Sequence, residues 1–391
     1  MPTIAIVGAG PAGSWAACCL ARRGARVTIF DSSHPREKPC GGGVTGRALE
    51  LASGVVDLSR LAIRVITQAR FTSAAGRRSV AVPLAAEGAT ALIVASRIDF
   101  DAAILAAAID AGAELRQERV TDVSVDSGGV TLETTMGRRR AEFVIGADGA
   151  NSLVRRRLAR PFRRDELSVA TGYFAHGVSS NEIVIEVAAD PAGYYWSFPR
   201  PSHLAIGVCA QADAGVSTEA LRRRTAQWMA DTGLGAGAPL DAYSWPIPSL
   251  GPRSLEQLEL AGPRWCLIGD AAGLVDPITR EGIYFAMISG QRIAEALATD
   301  GASGAYARQV RSEIVSELIQ AARLKAGFFR PAFTALLFEA LCESAPVRAI
   351  MADLIAGRQP YAGLKWRLLR SLELRLAWRT LTSSRPTRRA L

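Results

Sequence analysis

The N-terminal residues have the hydrophobic pattern of a strand, a helix and a second strand. The apolar run at 4–7 predicts a buried strand, residues 12–23 have helical spacing, and residues 26–30 predict a strand that ends at Asp31. This order is typical of a parallel sheet with helices packed on it. The pattern therefore predicts that the chain begins with an α/β unit.

Four later stretches extend this pattern. Residues 140–145, which end in Phe-Val-Ile, and the apolar run at 265–268 predict further strands, and helical spacing covers residues 99–111 and 283–298. Both predicted strands lead directly into short segments of glycine, alanine and aspartate. We therefore expect these strands and helices to belong to the same α/β sheet as the first unit.

Other parts of the chain alternate apolar and polar residues with a period of two. Alternating runs at 120–125 and 130–134 flank a serine-glycine-glycine turn at 127–129, which predicts a hairpin. The regions 60–95 and 165–260 also contain alternating stretches. Such alternation predicts antiparallel strands with one face covered, so we expect a second, antiparallel sheet in these two regions.

The segment Gly-Ala-Gly-Pro-Ala-Gly lies between the first predicted strand and the first helix. Gly8 permits a tight turn, Gly10 lets the backbone approach a pyrophosphate, and Gly13 lets the helix pack closely on the strand. Asp31, at the end of the second strand, can accept hydrogen bonds from ribose hydroxyls. The segment predicts a dinucleotide site, although a glycine-rich turn in an ordinary strand–helix unit has the same appearance.

Two later glycine and aspartate segments select the dinucleotide. Residues 146–150 and 269–273 each follow a predicted strand, and the second contains Asp270. A carboxylate at a strand end suits a ribityl chain, and the N-terminus of the next helix, at Gly282 and Ile283, can face the pyrimidine edge of a flavin. A nicotinamide dinucleotide needs neither segment, so the three segments together predict FAD.

The length of the chain predicts more than one domain, since 391 residues exceed one ordinary domain and 49% hydrophobic residues supply a sizeable core. We expect an FAD-binding domain interleaved with a substrate-binding β-sheet domain and followed by a C-terminal helical region with a basic tail. The six cysteines lack the paired spacing of metal ligands, so we predict no metal site. The predicted boundaries are 1–60, 96–160 and 261–300 for the first domain, 61–95 and 161–260 for the second, and 301–391 for the helical region.

Three further motifs are more specific. Residues 38–43 read Lys-Pro-Cys-Gly-Gly-Gly, residues 97–101 read Arg-x-Asp-Phe-Asp, and residues 191–199 read Pro-x-x-Tyr-x-Trp-x-Phe-Pro. With the glycine segments, these motifs resemble the geranylgeranyl reductase family, part of a wider group of p-hydroxybenzoate-hydroxylase-like flavoproteins. The Trp-x-Trp-x-Ile-Pro motif of the flavin halogenases in that group is absent from the sequence. Arg280 departs from the pattern, since the family more often has a small residue there.

The resemblance implies an α/β fold with a Rossmann-like FAD-binding domain of the GR2 type and an antiparallel sheet over the flavin. It implies that Cys40 is catalytic and helps to deliver a proton, and that Tyr194, Trp196 and Phe198 bind the substrate. The alternatives from residue chemistry are that Cys40 is an ordinary loop cysteine and that the three aromatic residues are simply core. The residues expected to bind FAD are Gly8, Gly10, Ala12, Gly13, Asp31, Pro39, Gly41, Arg97, Val120, Asp148, Asp270, Gly282 and Ile283.

The resemblance also implies a reaction, the reduction of carbon–carbon double bonds in a hydrophobic polyprenyl lipid or diphosphate. FAD would be reduced by NAD(P)H or by another electron donor, such as a ferredoxin or a reduced quinone. No second dinucleotide motif follows a strand, so we expect a nicotinamide donor to bind only transiently. Two alternatives share the FAD motifs. One is a flavin monooxygenase that hydroxylates an aromatic or peptidyl substrate with oxygen, and the other is a non-catalytic flavin-binding partner protein.

Positive charge is concentrated near the C-terminus of a chain whose net charge is +9. Residues 364–391 contain eight lysines and arginines and one glutamate, interleaved with leucine and tryptophan. This composition predicts either a basic helix on an anionic membrane surface or a solvated helix packed on the substrate domain. No nucleic-acid motif accompanies the charge, so we expect no nucleic-acid partner. Since no apolar run has membrane-spanning length, we expect a cytoplasmic protein, with peripheral contact at the inner membrane face as a further expectation.

Overall fold

A computed structural model describes residues 3–73, 76–84, 90–298 and 301–371. The strands are β1 (Thr3–Val7), β2 (Arg26–Phe30), β3 (Gly43–Thr45), β4 (Ile63–Val65), β5 (Gln68–Ser73), β6 (Arg78–Pro83), β7 (Leu92–Ala95), β8 (Glu114–Arg116), β9 (Val120–Asp126), β10 (Gly129–Thr134), β11 (Gly137–Ala141), β12 (Phe143–Gly146), β13 (Leu167–His176), β14 (Ile183–Ala189), β15 (Ala192–Pro199), β16 (His203–Gln211), β17 (Leu240–Pro248), β18 (Ala261–Gly262) and β19 (Trp265–Leu267). The helices are α1 (Pro11–Ala21), α2 (Gly46–Ala52), α3 (Arg97–Asp110), α4 (Leu153–Leu158), α5 (Thr218–Thr232), α6 (Pro252–Glu256), α7 (Gly269–Ala272), α8 (Ile283–Ala296), α9 (Ala302–Val310), α10 (Ser316–Phe328), α11 (Pro331–Glu343), α12 (Ala345–Ile355) and α13 (Leu364–Ser371), with a π-helical turn, Arg311–Val315, between α9 and α10.

A six-stranded sheet has the order β18-β19-β12-β1-β2-β8. β1 pairs in parallel with β2 and β12, β2 pairs in parallel with β8, and β12 pairs in parallel with β19. Helix α1 packs against α3 and α8. Parallel strands end at the same edge of a sheet, so the segments that follow β1, β2, β12 and β19 meet there. The sheet thus brings together the three glycine segments that are far apart in the sequence.

The strand predicted at 140–145 is confirmed only from Phe143, because two different strands share those residues. β11 belongs to a three-stranded antiparallel sheet, β11-β10-β9, whereas β12 begins at Phe143 in the parallel sheet. Glu142 separates them, and its carboxylate accepts hydrogen bonds from the amide and the hydroxyl of Thr3. The hairpin predicted around 127–129 is confirmed, since β9 and β10 pair antiparallel on either side of that turn.

The predicted antiparallel sheet has seven strands in the order β17-β13-β16-β15-β14-β5-β6. All of its pairings are antiparallel except that of β14 with β5, which is parallel and joins the two separate regions of the chain. A small sheet, β3-β7-β4, also joins residues on the two sides of position 60. The pairing therefore crosses a predicted domain boundary, and the division into domains stays a prediction.

One face of the seven-stranded sheet carries the aromatic residues of β15. Tyr194, Trp196 and Phe198 occupy alternate positions, so their side chains lie on the same face. The register places Tyr194 beside Cys209 of β16, and Cys209 beside Ala170 of β13. This face forms one side of the cavity described below.

Helices α10, α11 and α12 cover one end of this sheet. Leu341, Ile350 and Met351 share a core cluster with Phe71 and Ile183 of the sheet.

None of the described helices is long and apolar enough to cross a membrane. Of the predicted basic segment 364–391, α13 is described and Trp366 in it is 70% exposed. Residues 372–391, which carry most of the predicted membrane contact, lie outside the described residues.

Candidate active site

A cavity of about 450 Å3 extends from the carboxyl edge of the parallel sheet to the aromatic face of the seven-stranded sheet. Each predicted site residue except Gly13 lines it. The structure thus brings the predicted cofactor residues and the predicted substrate residues to one continuous space. The lining residues among those predictions are Gly8, Gly10, Ala12, Asp31, Pro39, Cys40, Gly41, Arg97, Val120, Asp148, Tyr194, Trp196, Phe198, Asp270, Gly282 and Ile283.

The glycine turn after β1 fits a closely bound phosphate group. Gly8 has a φ of +105°, and a Cβ there would lie 2.5 Å from the carbonyl oxygen of Ala147. A Cβ on Gly13 would lie 1.9 Å from the carbonyl oxygen of Gly8, so Gly13 serves the packing of α1 on the turn rather than the cavity wall. At Gly10, in contrast, the nearest atom to a Cβ would be 3.6 Å away on the His34 ring, so space remains beside this backbone.

Two helix N-termini reach the cavity without a side chain that caps them. Gly10 is the N-cap of α1 and Gly282 is the N-cap of α8, and neither helix has a side-chain cap hydrogen bond. The amides of a first helical turn have no intrahelical acceptor, and the positive end of the helix dipole favours anions. The two ends therefore suit the pyrophosphate and an electron-rich edge of a bound flavin dinucleotide.

Asp31 reaches the cavity, but its carboxylate is already engaged by its own loop. It accepts hydrogen bonds from the amides of Ala9 (2.8 Å), Ser33 (2.7 Å) and His34 (3.0 Å) and contacts His34 Nδ1 at 2.8 Å. Although burial alone would raise the pKa of Asp31, these hydrogen bonds and the charge of His34 lower it. His34, which has no role in the sequence analysis, thus belongs to the site. Its partner is three residues away, so the pairing of Asp31 with His34 was detectable from the sequence.

The aspartates of the other two glycine segments have different surroundings. Asp148 accepts hydrogen bonds from the amides of Leu153 (2.6 Å) and Val154 (3.2 Å), so it holds the start of α4, and burial raises its pKa. Asp270 lies 3.2 Å from the Lys38 ammonium. This ion pair ties the third glycine segment to the loop that carries the cysteine motif.

Cys40 lies on the cavity wall in a loop that its neighbours hold in place. Its Sγ accepts a hydrogen bond from the amide of Gly42 at 3.3 Å, and the thiol lies close enough to Arg97 for the two groups to interact electrostatically. Arg97 is buried and makes a two-pronged pair with Asp101, with N–O distances of 2.9 and 2.7 Å. Arg97 therefore reaches the cavity as a cation whose charge Asp101 balances, next to the thiol.

Arg200, which the sequence analysis missed, holds the same loop from the opposite side. Its side chain is fully buried, and it donates to the carbonyl oxygens of Cys40 (2.7 Å), Gly41 (3.2 Å) and Lys38 (3.3 Å). It also forms an ion pair with Glu37. Arg200 directly follows the Phe-Pro of the aromatic motif, and this position indicates that it lies near the site. Its hydrogen-bond partners lie about 160 residues earlier in the chain, so its role could not be predicted from the local sequence.

The aromatic residues form a wall next to the cysteine loop. Trp196 and Phe198 meet edge to face with ring centroids 5.8 Å apart, and the Tyr194 hydroxyl donates to the carbonyl oxygen of Thr279 at 2.7 Å. A Cβ on Gly41 would lie 2.9 Å from the Phe198 ring, so the wall touches the loop. Beyond the aromatic residues, the apolar lining includes Phe71, Leu92, Ile183, Ile185, Val187, Ile278, Phe328, Met351, Leu354 and Ile355.

Comparisons with known proteins identify the family of the chain. Residues 1–246 match the family model described as an FAD binding domain. The chain is 34% identical over 325 residues to a menaquinone reductase of Mycolicibacterium smegmatis, with 76% of each chain covered. It is 32% identical over 305 residues to a geranylgeranyl diphosphate reductase of Rhodobacter capsulatus, with 74% of this chain and 73% of the relative covered. A geranylgeranyl bacteriochlorophyll reductase-like protein of Thermoplasma acidophilum has the same fold, with a TM-score of 0.78, 20% identity, and 95% and 99% of the two chains covered. The chain therefore belongs to the FAD-binding domain family and is an FAD-dependent oxidoreductase of the geranylgeranyl reductase type.

Proposed function

We propose that this protein uses FAD to reduce carbon–carbon double bonds of a polyprenyl lipid. The observation that carries the proposal is the single cavity, which joins the glycine-lined edge of the parallel sheet to an aromatic and aliphatic wall, with Cys40 between them. Few polar groups lie along that wall, which suits an extended hydrocarbon chain. The names of the two relatives support the proposal, because a menaquinone and a geranylgeranyl diphosphate share a polyprenyl chain.

Several residues would hold FAD. The uncapped amides at the start of α1, together with Gly8 and Gly10, would bind the pyrophosphate. The loop of Asp31 would bind the ribose, and since its carboxylate is already engaged, Ser33 and His34 would share that contact. The remaining predicted contacts are those of Ala12, Pro39, Gly41, Arg97, Val120, Asp148, Asp270, Gly282 and Ile283, with Gly13 acting through the packing of α1.

When bound and reduced, FAD supplies a hydride to one carbon of the double bond. Saturation then requires one proton at the neighbouring carbon. We assign this proton to the Cys40 thiol, which lies on the cavity wall next to the aromatic residues and is regenerated with a proton from solvent. Tyr194, Trp196 and Phe198 would hold the chain and keep water away from the reacting carbons. Arg200 is a positioning residue, because it fixes the backbone on both sides of the thiol.

An anaerobic assay tests the reaction. FAD-loaded protein, reduced chemically under argon, is mixed with geranylgeranyl diphosphate, and the lipid is analysed by mass spectrometry. The proposal expects mass gains in steps of two hydrogens. A lipid that stays unchanged under argon but gains oxygen in air would contradict the proposal and identify a monooxygenase.

Two cysteine variants separate the role of the thiol from that of the fold. Cys40→Ser should slow saturation by roughly a hundredfold, since a hydroxyl is a much weaker acid at this position. Cys342→Ser, a change at a half-buried cysteine of α11 that does not line the cavity, should keep the wild-type rate. Equal rates in the two variants would show that Cys40 is an ordinary loop cysteine.

We also propose NAD(P)H or a protein or quinol donor as the source of electrons. Anaerobic mixing of the FAD-loaded protein with NADH, NADPH, reduced ferredoxin or a quinol, followed by the loss of flavin absorbance, identifies the donor. If none of the four bleaches the flavin, these donor classes are excluded.

We propose peripheral contact with the inner face of the cytoplasmic membrane through the basic C-terminal segment. Support comes from the exposed Trp366 and Arg370 of α13. Co-flotation with vesicles that contain anionic lipid, but not with zwitterionic vesicles, is the expected result. Arg370→Gln should weaken that association several-fold, at about 1 kcal/mol for each basic residue near the surface. Equal recovery on both kinds of vesicle would contradict the charge-based contact.

A further inference from the structure

Arg280 has a backbone conformation that usually belongs to glycine. Its φ is +62°, in the left-handed region, although it is neither glycine nor asparagine. Residues held in such conformations concentrate at ligand sites, where the surrounding structure imposes them. Arg280 also departs from the small residue that is more usual in the family. It lies two residues before the N-cap of α8 and lines the cavity.

The guanidinium of Arg280 has hydrogen-bond partners but no counter-ion within the described chain. It donates to Ser168 Oγ at 2.9 Å and to the carbonyl oxygen of Pro277. Its Nε is buried and has no hydrogen-bond partner among the described residues. Asp276 is close in sequence, but its carboxylate is used by the amides of Ile278 and Thr279 and by the hydroxyl of Tyr361.

A second basic side chain, Lys325 of α10, lies close to Arg280. Its Nζ donates to Gln211 Oε1 and to Ser249 Oγ, both at 2.7 Å, and no ion pair with a described carboxylate forms there. Burial, assisted by the charge of Arg280, lowers the pKa of Lys325 to about 7. Ser168 and Gln211 connect the two side chains, since the Ser168 hydroxyl donates to Gln211 Oε1 at 3.3 Å, and an anion bound in the cavity beside Arg280 would offset the positive charge.

The seven-stranded sheet connects these cations to the aromatic wall. Ser168 pairs with Gln211 in the register of β13 and β16, two positions along from the pair of Ala170 and Cys209. Positions two apart on a strand share a face, so this polar pair lies on the same face as Cys209 and its neighbour Tyr194. The face thus changes from polar and cationic at one end to aromatic at the other.

We propose that Arg280, supported by Lys325, forms an anion subsite of the cavity that binds the phosphate or diphosphate head of the substrate. The polyprenyl chain then extends from this subsite along Tyr194 toward Trp196 and Phe198. The inference rests on the proposed function and narrows it to an anionic polyprenyl substrate rather than a neutral one.

Binding to the oxidised, FAD-loaded protein tests this subsite. Calorimetric titrations use geranylgeranyl diphosphate, the neutral alcohol geranylgeraniol, and inorganic pyrophosphate. The wild type should bind the diphosphate lipid at least about tenfold more tightly than the alcohol, because charge-assisted hydrogen bonds distinguish the two heads. Arg280→Gly removes the guanidinium and relieves the left-handed strain, so it should lose this preference and still bind the alcohol as the wild type does.

Arg264→Gly is the matched control. Arg264 also has a φ of +62°, but it lies outside the cavity and should keep the preference for the diphosphate. Lys325→Gln should weaken diphosphate binding by a smaller factor than Arg280→Gly. A preference that survives in Arg280→Gly, or equal affinity of the wild type for the two lipids, overturns the subsite.

The pyrophosphate titration separates the two sources of phosphate and the two proposals. Binding of free pyrophosphate as tight as that of the lipid would overturn the assignment to a lipid head. If no lipid binds but pyrophosphate binding depends on Arg280, the anion site stands and the polyprenyl function fails. If Arg280→Gly binds and reduces both the diphosphate lipid and the alcohol as the wild type does, the function stands and the anion site fails.

Discussion

Replacing Arg200 by methionine should destabilise the protein and release the loop that carries Cys40. The side chain is fully buried and joins four residues of one loop, through the Glu37 carboxylate and the carbonyl oxygens of Lys38, Cys40 and Gly41. Methionine retains much of the apolar volume of the arginine stem, so the cavity it leaves is small. The predicted effect is therefore almost entirely the loss of the polar contacts.

The size of the effect follows from those contacts. Removal of one partner of a buried ion pair destabilises a protein by about 3–5 kcal/mol. A fully buried carbonyl left without a donor adds about 1–3 kcal/mol, but the three carbonyls here belong to half-buried residues that water reaches, so their loss adds much less. The Glu37 side chain is 26% exposed, so water will replace part of the lost pairing. We expect a total loss of roughly 3–5 kcal/mol in the free energy of unfolding.

Urea unfolding of the FAD-loaded protein measures this loss, and the rate at which iodoacetamide modifies Cys40 reports on the loop. Arg223→Met is the matched control, because it removes an arginine–glutamate pair from the surface of α5, where the two side chains are 68% and 77% exposed. That change should cost no more than about 0.5 kcal/mol. If Arg200→Met unfolds with the midpoint of the control and Cys40 reacts at the wild-type rate, the positioning role assigned to Arg200 is wrong.

Three further predictions test the glycine turn, the buried lysine and the far end of the cavity. Gly13→Ala should be purified without FAD, since its Cβ would lie 1.9 Å from the carbonyl oxygen of Gly8. Gly327→Ala is the control, because no neighbouring atom lies within 4 Å of a Cβ there, and it should keep the wild-type ratio of flavin to protein absorbance. The pKa of Lys325 is about 7 in the folded protein and about 10.4 in an unfolded chain. Between these two pH values the unfolded chain binds more protons than the folded protein, so the free energy of unfolding should rise with pH. Lys325→Met should flatten the rise in urea midpoint from pH 7 to about pH 9, and a slope equal to that of the wild type would contradict the assignment. Leu354→Trp places a larger side chain on the apolar lining of the cavity, so it should raise KM for long polyprenyl substrates and leave KM for short ones unchanged. An equal change in KM for substrates of all lengths would show that the polyprenyl group does not reach Leu354.

Local patterns were sufficient to predict much of the site. The strand ends before Gly8, Asp148 and Asp270 are apolar runs followed by small residues, and parallel pairing brings such ends to one edge. The alternation of Tyr194 and Trp196 likewise predicts a shared face, because side chains on a strand alternate strictly. These inferences need no information about contacts between distant parts of the chain.

The rest depends on contacts that no local pattern contains. Arg200 and Glu37 are separated by 163 positions, and their contact requires the seven-stranded sheet to pack on the loop after β2. Arg280 meets Ser168 across 112 positions, which requires the same sheet to pack on the turn before α8. The boundary at Glu142 was missed because its role, a carboxylate that holds the start of β1, depends on a partner 139 positions away.

The most direct test of the account is a single turnover of the flavin under argon. FAD-loaded protein is reduced completely, freed of excess reductant and mixed with geranylgeranyl diphosphate, while the flavin absorbance and the lipid mass are followed together. We predict that the oxidised flavin spectrum returns and that one double bond is saturated for each flavin reoxidised. A flavin that stays reduced in the presence of the lipid, and is reoxidised only when oxygen is admitted, would contradict the account.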